Sequence, residues 1–346
     1  MTRTVYGDSG ISPRTQVYAE RQMLKHAGPV MVLDKFGMAK PMPKNKGEVI
    51  KFRRPNVFTA ATVPLQEGVT PTSTQFSYTD VTATLAQYGQ VVEVTDKIED
   101  LHEDPVLNDA TTQSGENIGR TMEALTWGVL RAGTNVFYAN GTQRTDVNTP
   151  ISLAKLRSVN RALNAQKAMQ ITRMLDGSPN FGTKPIEACW VAVAHTDCEH
   201  DIRQLPGFVP VSEYGSRQPI HERELGSVET FRFILSPDLS PITDGGGAKA
   251  GSGTTMVSTT GTSADIYPML FFGKEAYGTV PLRGQGAVEP TVLRPGVKDK
   301  ADPLGQRGRE VLGLVHGAHA FAAAAGAGLD EHGVADAVGL GLQERG

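Results

Sequence analysis

His195, Cys198, His200 and Asp201 are the residues of this chain whose types and spacing best suit a metal ion. They could converge at the start of a helix. Zinc, however, favours spaced ligand pairs brought together from two segments. The second cysteine, Cys189, lies in an apolar run and reads as core. A polar turn after a strand accounts for the cluster more simply. His221-Glu222-Arg223-Glu224-Leu225 has the outline of the zincin helix motif, but Leu225 stands where the second histidine belongs. The glycine run from Gly245 to Gly253 lacks the Gly-Lys-Ser/Thr ending of a phosphate loop. No Gly-x-Ser-x-Gly elbow offers a hydrolase serine. Asp96, Glu99, Asp100, Glu103 and Asp104 could hold a hard cation such as calcium. They lack the spacing and internal glycine of an EF-hand, and acidic residues at a helix start already favour its macrodipole. Nothing assembles a nucleophile, a base and an orienting group. No catalytic, cofactor-binding or metal-ligating residue is therefore assigned, no cofactor is expected, and the chain is not read as an enzyme.

The elements that would position these residues are of mixed type. Residues 1–47 hold one helical stretch, from about Pro13 to Ala27, and then the breakers Pro29, Gly37, Pro41, Pro43 and Gly47. Val30 to Leu33, Phe36, Met38 and Met42 make this arm apolar, so it needs a covering surface, its own body or another copy. Val49, Ile50 and Phe52 predict a strand ending at Pro55, and residues 73–95 are rich in strand formers. Residues 48–95 then read as one long hairpin-like excursion. Asp104 and Pro105 signal a helix start. The stripe Ile118, Met122, Leu125, Val129, Ala132, Val136 carries the helix to Tyr138. A second helix is expected from Ser152 to Met169, a buried strand over Ala188–Ala194, and a short helix over Thr196–Leu205. Further strands are expected over Glu229–Leu235, Ile266–Gly273 and Val280–Leu293. Residues 243–264 read as a flexible Gly/Ser/Thr loop. The fold class is α+β.

The 346 residues allow two or three domains on the usual scale of about 100–200 residues each. Two cysteines exclude a disulfide framework. No stretch approaches the roughly 20 apolar residues of a membrane helix, so no membrane partner is expected. The polar segment after Met1 does not read as a signal peptide. A net charge of −3 excludes a strongly basic nucleic-acid binder. Charge is unevenly spread: residues 1–60 carry eleven Lys/Arg against four Asp/Glu, and residues 61–130 carry two against eleven. Two solvated faces would explain this, as would attraction between chains.

Five segments in order carry a resemblance. They are Tyr18-Ala-Glu-Arg-Gln-Met-Leu24; Val81-Thr-Ala-Thr-Leu-Ala-Gln-Tyr-Gly89 with Val94-Thr-Asp96; Asp201-Ile-Arg203; Leu205-Pro-Gly-Phe208; and Asp302-Pro-Leu-Gly-Gln-Arg-Gly308. Together they resemble tailed-bacteriophage major capsid proteins of the Hong Kong 97 fold, in the N-four-like family, over about residues 11–308. The resemblance implies an arm at 1–47, an extended β loop at 48–95 and a peripheral domain with its spine helix at 96–150. An axial domain would follow at 151–280, with a return to the peripheral domain at 281–308. It implies hexameric and pentameric capsomers of one protein, forming the icosahedral head of a virion around double-stranded DNA. No sequence-specific DNA contact is implied. A separate scaffold, a portal and decoration proteins would be the other partners that the resemblance implies, and assembly would take place in the host cytoplasm. A prophage-derived nanocompartment shell is the alternative within the structural class. A minor virion component is disfavoured by the chain's length. A metal-dependent enzyme on His195, Cys198 and His200 is the alternative outside the structural class.

The expected likeness ends at Gly308. Residues 309–346 hold nine Ala and eight Gly, with no Ser, Thr, Lys, Pro, Tyr or Trp, and three of the eight histidines: His316, His319 and His332. Two readings stand: a divergent tail with an Ala-rich helix over His319–Ala325, or a shifted reading frame.

Overall fold

The computed structural model describes residues 31–40, 42–43, 47, 49–56, 58–64, 67–68, 70, 73–95, 97, 106–175, 183–248, 261–283, 288–293, 307–320 and 338–343. The expected helix over Pro13–Ala27, the acidic run at 96–104 and the helix-start signal Asp104-Pro105 lie outside them.

In chain order, two short strands, β1 (Met38–Ala39) and β2 (Met42–Pro43), precede β3 (Val49–Pro55), β4 (Tyr78–Thr84) and β5 (Ala86–Thr95). The helix α1 spans Val106–Arg131 and is followed by β6 (Val136–Tyr138) and α2 (Leu153–Ala165). Next come β7 (Ile171–Leu175), β8 (Thr183–His195), α3 (Glu199–Arg203), β9 (Phe208–Pro210), β10 (Glu224–Val228) and β11 (Phe231–Ser236). The series ends with β12 (Ile266–Phe272), β13 (Tyr277–Arg283), β14 (Val288–Leu293), β15 (Arg307–Ala320) and β16 (Val338–Gln343).

The chain divides into two compact units. The first comprises Met1–Glu48, Leu85–Gly128 and Thr279–Ala318, and the second Val49–Thr84, Val129–Gly278 and His319–Gly346. In the first, a six-stranded sheet runs β1-β13-β15-β14, with β5 pairing β15 and β2 pairing β13. The β5–β15 ladder is antiparallel and joins ten residue pairs, from Arg307 opposite Thr95 to His316 opposite Ala86. The excursion expected over 48–95 is thus divided: β4 pairs with β3, and β5 pairs with a strand more than 200 residues away in sequence. The switch comes at Leu85, the one residue between β4 and β5.

In the second unit an eight-stranded sheet runs β6-β16-β12-β8-β11-β10-β9, with β7 pairing β8. Its centre is apolar on both faces. Trp190 to Ala194 in β8, Phe233 and Ile234 in β11 and Met269 to Phe272 in β12 have no exposed surface. Unbroken apolar runs of this kind suit strands covered on both sides. Phe271 meets Phe231 and Phe233 edge-on, at 5.3 and 6.4 Å between ring centres. α2 sets Leu156, Val159 and Leu163 into the core, and Asn160 Oδ1 accepts the Trp190 Nε1–H at 3.1 Å.

Several boundaries differ from expectation for physical reasons. α1 stops at Arg131, short of Tyr138, with tightened last bonds from Ala132 N to Val129 O and from Gly133 N to Leu130 O. Gly133 ends the helix, and Val136-Phe137-Tyr138 has the β-branched and aromatic character of the strand it forms. α2 stops at Ala165, where Lys167 takes a left-handed φ of 53° and Ala168 N reaches back to Leu163 O. The stretch Val280–Leu293 is two strands rather than one. His319 and Ala320, expected to open a helix, close β15; residues 321–325 lie outside the described residues. The ends of the 243–264 loop are clamped. Gly246 N donates to Ala264 O at 2.8 Å and Gly247 N to Val147 O at 2.9 Å. A Cβ on Gly246 would stand 2.5 Å from Val147 O.

The tail also finds a place. β16 runs antiparallel to β12 and parallel to β6. Gly339 sits in register with Leu270 and Val136, and Gly341 with Pro268 and Tyr138. By alternation Gly339, Gly341 and Gln343 share one row of the strand.

Candidate assembly surfaces

The two-stranded hairpin of β3 and β4 has two unlike faces. Register pairs Phe52 with Val81 and Ile50 with Ala83 on one face, and Arg53 with Asp80 and Lys51 with Thr82 on the other. Phe52 and Ala83 are buried. Across the outer face Arg53 donates a fork to Asp80, Nε to Oδ1 at 2.8 Å and Nη2 to Oδ2 at 3.1 Å. This hydrogen bond holds the Asp80 carboxyl below its usual range. The same guanidinium lies 5.3 Å from the Tyr78 ring centre.

Beyond the ladder the strands stay joined. Asn56 N donates to Ser77 O at 3.0 Å, Asn56 Nδ2 to Ser77 Oγ at 2.9 Å, and Thr79 Oγ1 to Asn56 Oδ1 at 2.8 Å. Above this clamp Phe76 packs on Tyr78 at 4.6 Å, nearly perpendicular, and on Phe58 at 5.7 Å. Each of the three rings keeps about half its surface exposed, and Val63 about four fifths. An ordered aromatic cluster on a braced hairpin is a surface prepared for another surface, since apolar area left in water is costly.

The arm is anchored by a residue that periodicity did not mark. Glu123, fully buried on α1, accepts the backbone N–H groups of Val32 and Leu33 at 3.0–3.2 Å. Val32 and Leu33 are themselves fully buried. Thr126 Oγ1 reaches Asp34 Oδ1 at 3.4 Å. The one available signal was a carboxylate in core register, beside Thr126 and Trp127, which demands a buried partner.

The metal-like cluster does not converge. His195 Nδ1 accepts the Asp197 N–H at 3.1 Å and caps the turn that follows β8. Cys198 is buried, and burial pushes its thiol well up. His200 Nε2 faces Gln204 Nε2 at 2.8 Å. Among the described residues, no three His, Cys, Asp or Glu side chains are grouped to hold a metal ion. No described helix is long and apolar enough to cross a membrane.

In the His221–Leu225 stretch, Glu224 takes a structural place. It accepts Tyr214 Oη–H at 2.7 Å and the Ile220 N–H, and stands 3.7 Å from Arg232 Nη1. Burial pushes its carboxyl up, against the pull of those donors and of Arg232.

Comparison with known proteins matches this architecture. A family model described as phage capsid protein matches residues 78–334. That match runs 26 residues past Gly308, where the sequence likeness was expected to stop. The major capsid protein of Pseudomonas phage KPP21 is 22% identical over 181 residues, 49% of this chain. The matched stretch spans 45% of that relative's own length. The capsid of Ralstonia phage GP4 superimposes with a TM-score of 0.66 at 11% identity, over 100% of this chain and 96% of that one. The capsid of cyanophage Pam1 gives 0.58 at 12% identity, over 100% and 97%. The family match covers most of the chain and the fold is that of phage shells, so the chain belongs to the phage capsid protein family, and its role is structural.

Proposed function

We propose that this chain is the major subunit of a tailed-phage head, assembling with copies of itself into hexameric and pentameric capsomers of an icosahedral shell around double-stranded DNA. The observation that carries this is the braced hairpin with its open Phe58, Phe76 and Tyr78 cluster, in a chain of the capsid family. Residues 1–47 serve as the arm, and within the extended loop expected over 48–95 the hairpin of β3 and β4 is the part laid over a neighbour. The spine helix belongs to a peripheral domain of residues 96–150, joined again at 281–308, and residues 151–280 form the axial domain. Within the family, the N-four-like branch fits the five sequence segments. A scaffold, a portal and decoration proteins complete the head, which assembles in the host cytoplasm. DNA is enclosed without sequence-specific contacts, and no catalytic step is assigned.

Head-to-tail contacts of this kind close into rings when the rotation between copies allows. Negative-stain electron microscopy of the purified chain, beside size-exclusion chromatography, tests the reading. Shells, rings or capsomer-sized particles are expected. A monodisperse monomer at every concentration and salt tried would overturn it.

A further inference from the structure

The second unit contains a cavity of about 370 Å3 that the assembly reading does not use. This is at the lower end of the roughly 300–1,000 Å3 range of ligand pockets. Its walls are the rows Val136 and Tyr138 on β6, and Ile266, Pro268 and Leu270 on β12. These rows lie two strand spacings apart, roughly 10 Å, because β16 runs between them. On that row β16 carries Gln343 opposite Ile266, and Gly341 and Gly339 opposite Pro268 and Leu270; the two glycines bring no side chain to fill the space. Val136 and Tyr138 keep accessible surface, so the wall open to a ligand is apolar on the β6 side.

The mouth is cationic. Arg131 and Arg144 line it together with Gln143 and Thr145, and among the described residues no acidic side chain does. Among the described residues neither guanidinium has an ion-pair partner. Such a site suits an anionic group attached to an apolar body. A bare phosphate backbone would leave the apolar wall unused, so an acidic peptide with an apolar anchor is the better fit.

The chain itself holds such a peptide. Residues 96–104 carry Asp96, Glu99, Asp100, Glu103 and Asp104, interleaved with Ile98 and Leu101. We propose that the cavity between β6 and β12 receives this acidic run from a second copy, with one aliphatic side chain against Val136 and Tyr138 and adjoining carboxylates on Arg131 and Arg144. This rests on the self-assembly reading and names one of its contacts. It also gives the acidic excess of residues 61–130 a specific destination. A fork of two guanidiniums on carboxylates gives register as well as attraction.

The test uses a fluorescent peptide of residues 94–105 titrated into the full-length chain at concentrations too low for assembly. Saturable binding is expected. It should weaken at least tenfold between 50 and 500 mM NaCl, as screening predicts, and at least tenfold when the five acids become Asn or Gln. Arg131→Glu with Arg144→Glu should abolish binding, and a peptide with Lys at the acidic positions should bind that variant. Arg144→Glu alone, on an exposed turn, guards against misfolding caused by a change at the end of α1. No saturable binding, binding unchanged in both variants, or failure of the Lys peptide to bind the charge-reversed chain would each overturn the proposal. So would duplex DNA displacing the peptide while the neutralised peptide bound equally well. Shells seen by microscopy without peptide binding would sink this contact and leave the assembly reading standing. Peptide binding by a chain that never assembles would do the reverse.

Discussion

The hairpin of β3 and β4 and the eight-stranded sheet are both made of strands rich in apolar and aromatic residues, yet they use them differently. In the sheet, Trp190, Phe233 and Phe271 are sealed from water, and each has its partner inside the chain. In the hairpin, Phe58, Phe76 and Tyr78 pack on one another and remain half open. Folding completes the burial of the first region and leaves that of the second unfinished. The sheet is therefore where substitutions should act on stability, and the hairpin tip where they should act on association.

The largest expected effect lies in the sheet. Trp190→Ala removes a fully buried indole and its bond to Asn160, and should cost about 3–5 kcal/mol. Chemical denaturation of the unassembled chain measures it. The matching change in the hairpin, Phe58→Ser with Phe76→Ser and Tyr78→Ser, should alter monomer stability by less than about 1 kcal/mol and yet stop particle formation in the microscope. If the triple variant unfolds as readily as the Trp190 variant, the tip is core rather than interface and the comparison fails.

Next in size is the arm anchor. Glu123→Ala deprives two buried N–H groups, on Val32 and Leu33, of this acceptor, and should cost roughly 1–3 kcal/mol for each group left unsatisfied. Faster hydrogen exchange at Val32 and Leu33, with the eight-stranded sheet unaffected, is the expected readout. Glu123→Gln, which keeps one acceptor oxygen, should fall between.

These residues also show how much of the molecule was legible in its sequence. The stripe Leu156, Val159, Leu163 and the run Trp190–Ala194 announced a helix and a buried strand, because local periodicity encodes both. Ser152, where that helix was expected to begin, is its N-cap and accepts Lys155 N–H. The pairing of β5 with β15 left no local trace, since a ladder partner more than 200 residues away is chosen by the whole fold. The helix end at Arg131 was hidden because Val136 continued the apolar stripe past Gly133. Glu123 was readable only as an anomaly, and the cavity only from register, through Gly339 and Gly341. The aromatic residues of the hairpin were visible as strand formers, whereas their exposure was not.

A smaller effect comes from pH on the buried network of the second unit. Burial raises the Glu224 carboxyl in the folded protein above its ordinary 4.5. Between that value and the raised one the folded state holds more protons than the unfolded, so stability falls as pH rises through the window. Glu224→Gln should flatten the part of the thermal-unfolding curve that lies above pH 4.5. An unchanged slope would place the titration elsewhere.

The smallest effect belongs to the outer face of the hairpin. Asp80 and Arg53 form an exposed pair, and such pairs add little to stability. The Asp80 carboxyl is held low by Arg53, so what the pair contributes is present above the ordinary value of 3.8 and is lost as pH falls through the lowered one. Asp80→Asn should leave the unfolding transition where it is. Its consequence should appear in assembly, because the fork that fixes Arg53 also holds the guanidinium 5.3 Å from the Tyr78 ring. Released from Asp80, Arg53 samples other rotamers, and the tip meets its neighbour less well organised. A longer lag in light scattering, with an unchanged melting curve, is the expected pair of results. A lowered melting temperature would assign the outer face to folding and narrow the difference between hairpin and sheet.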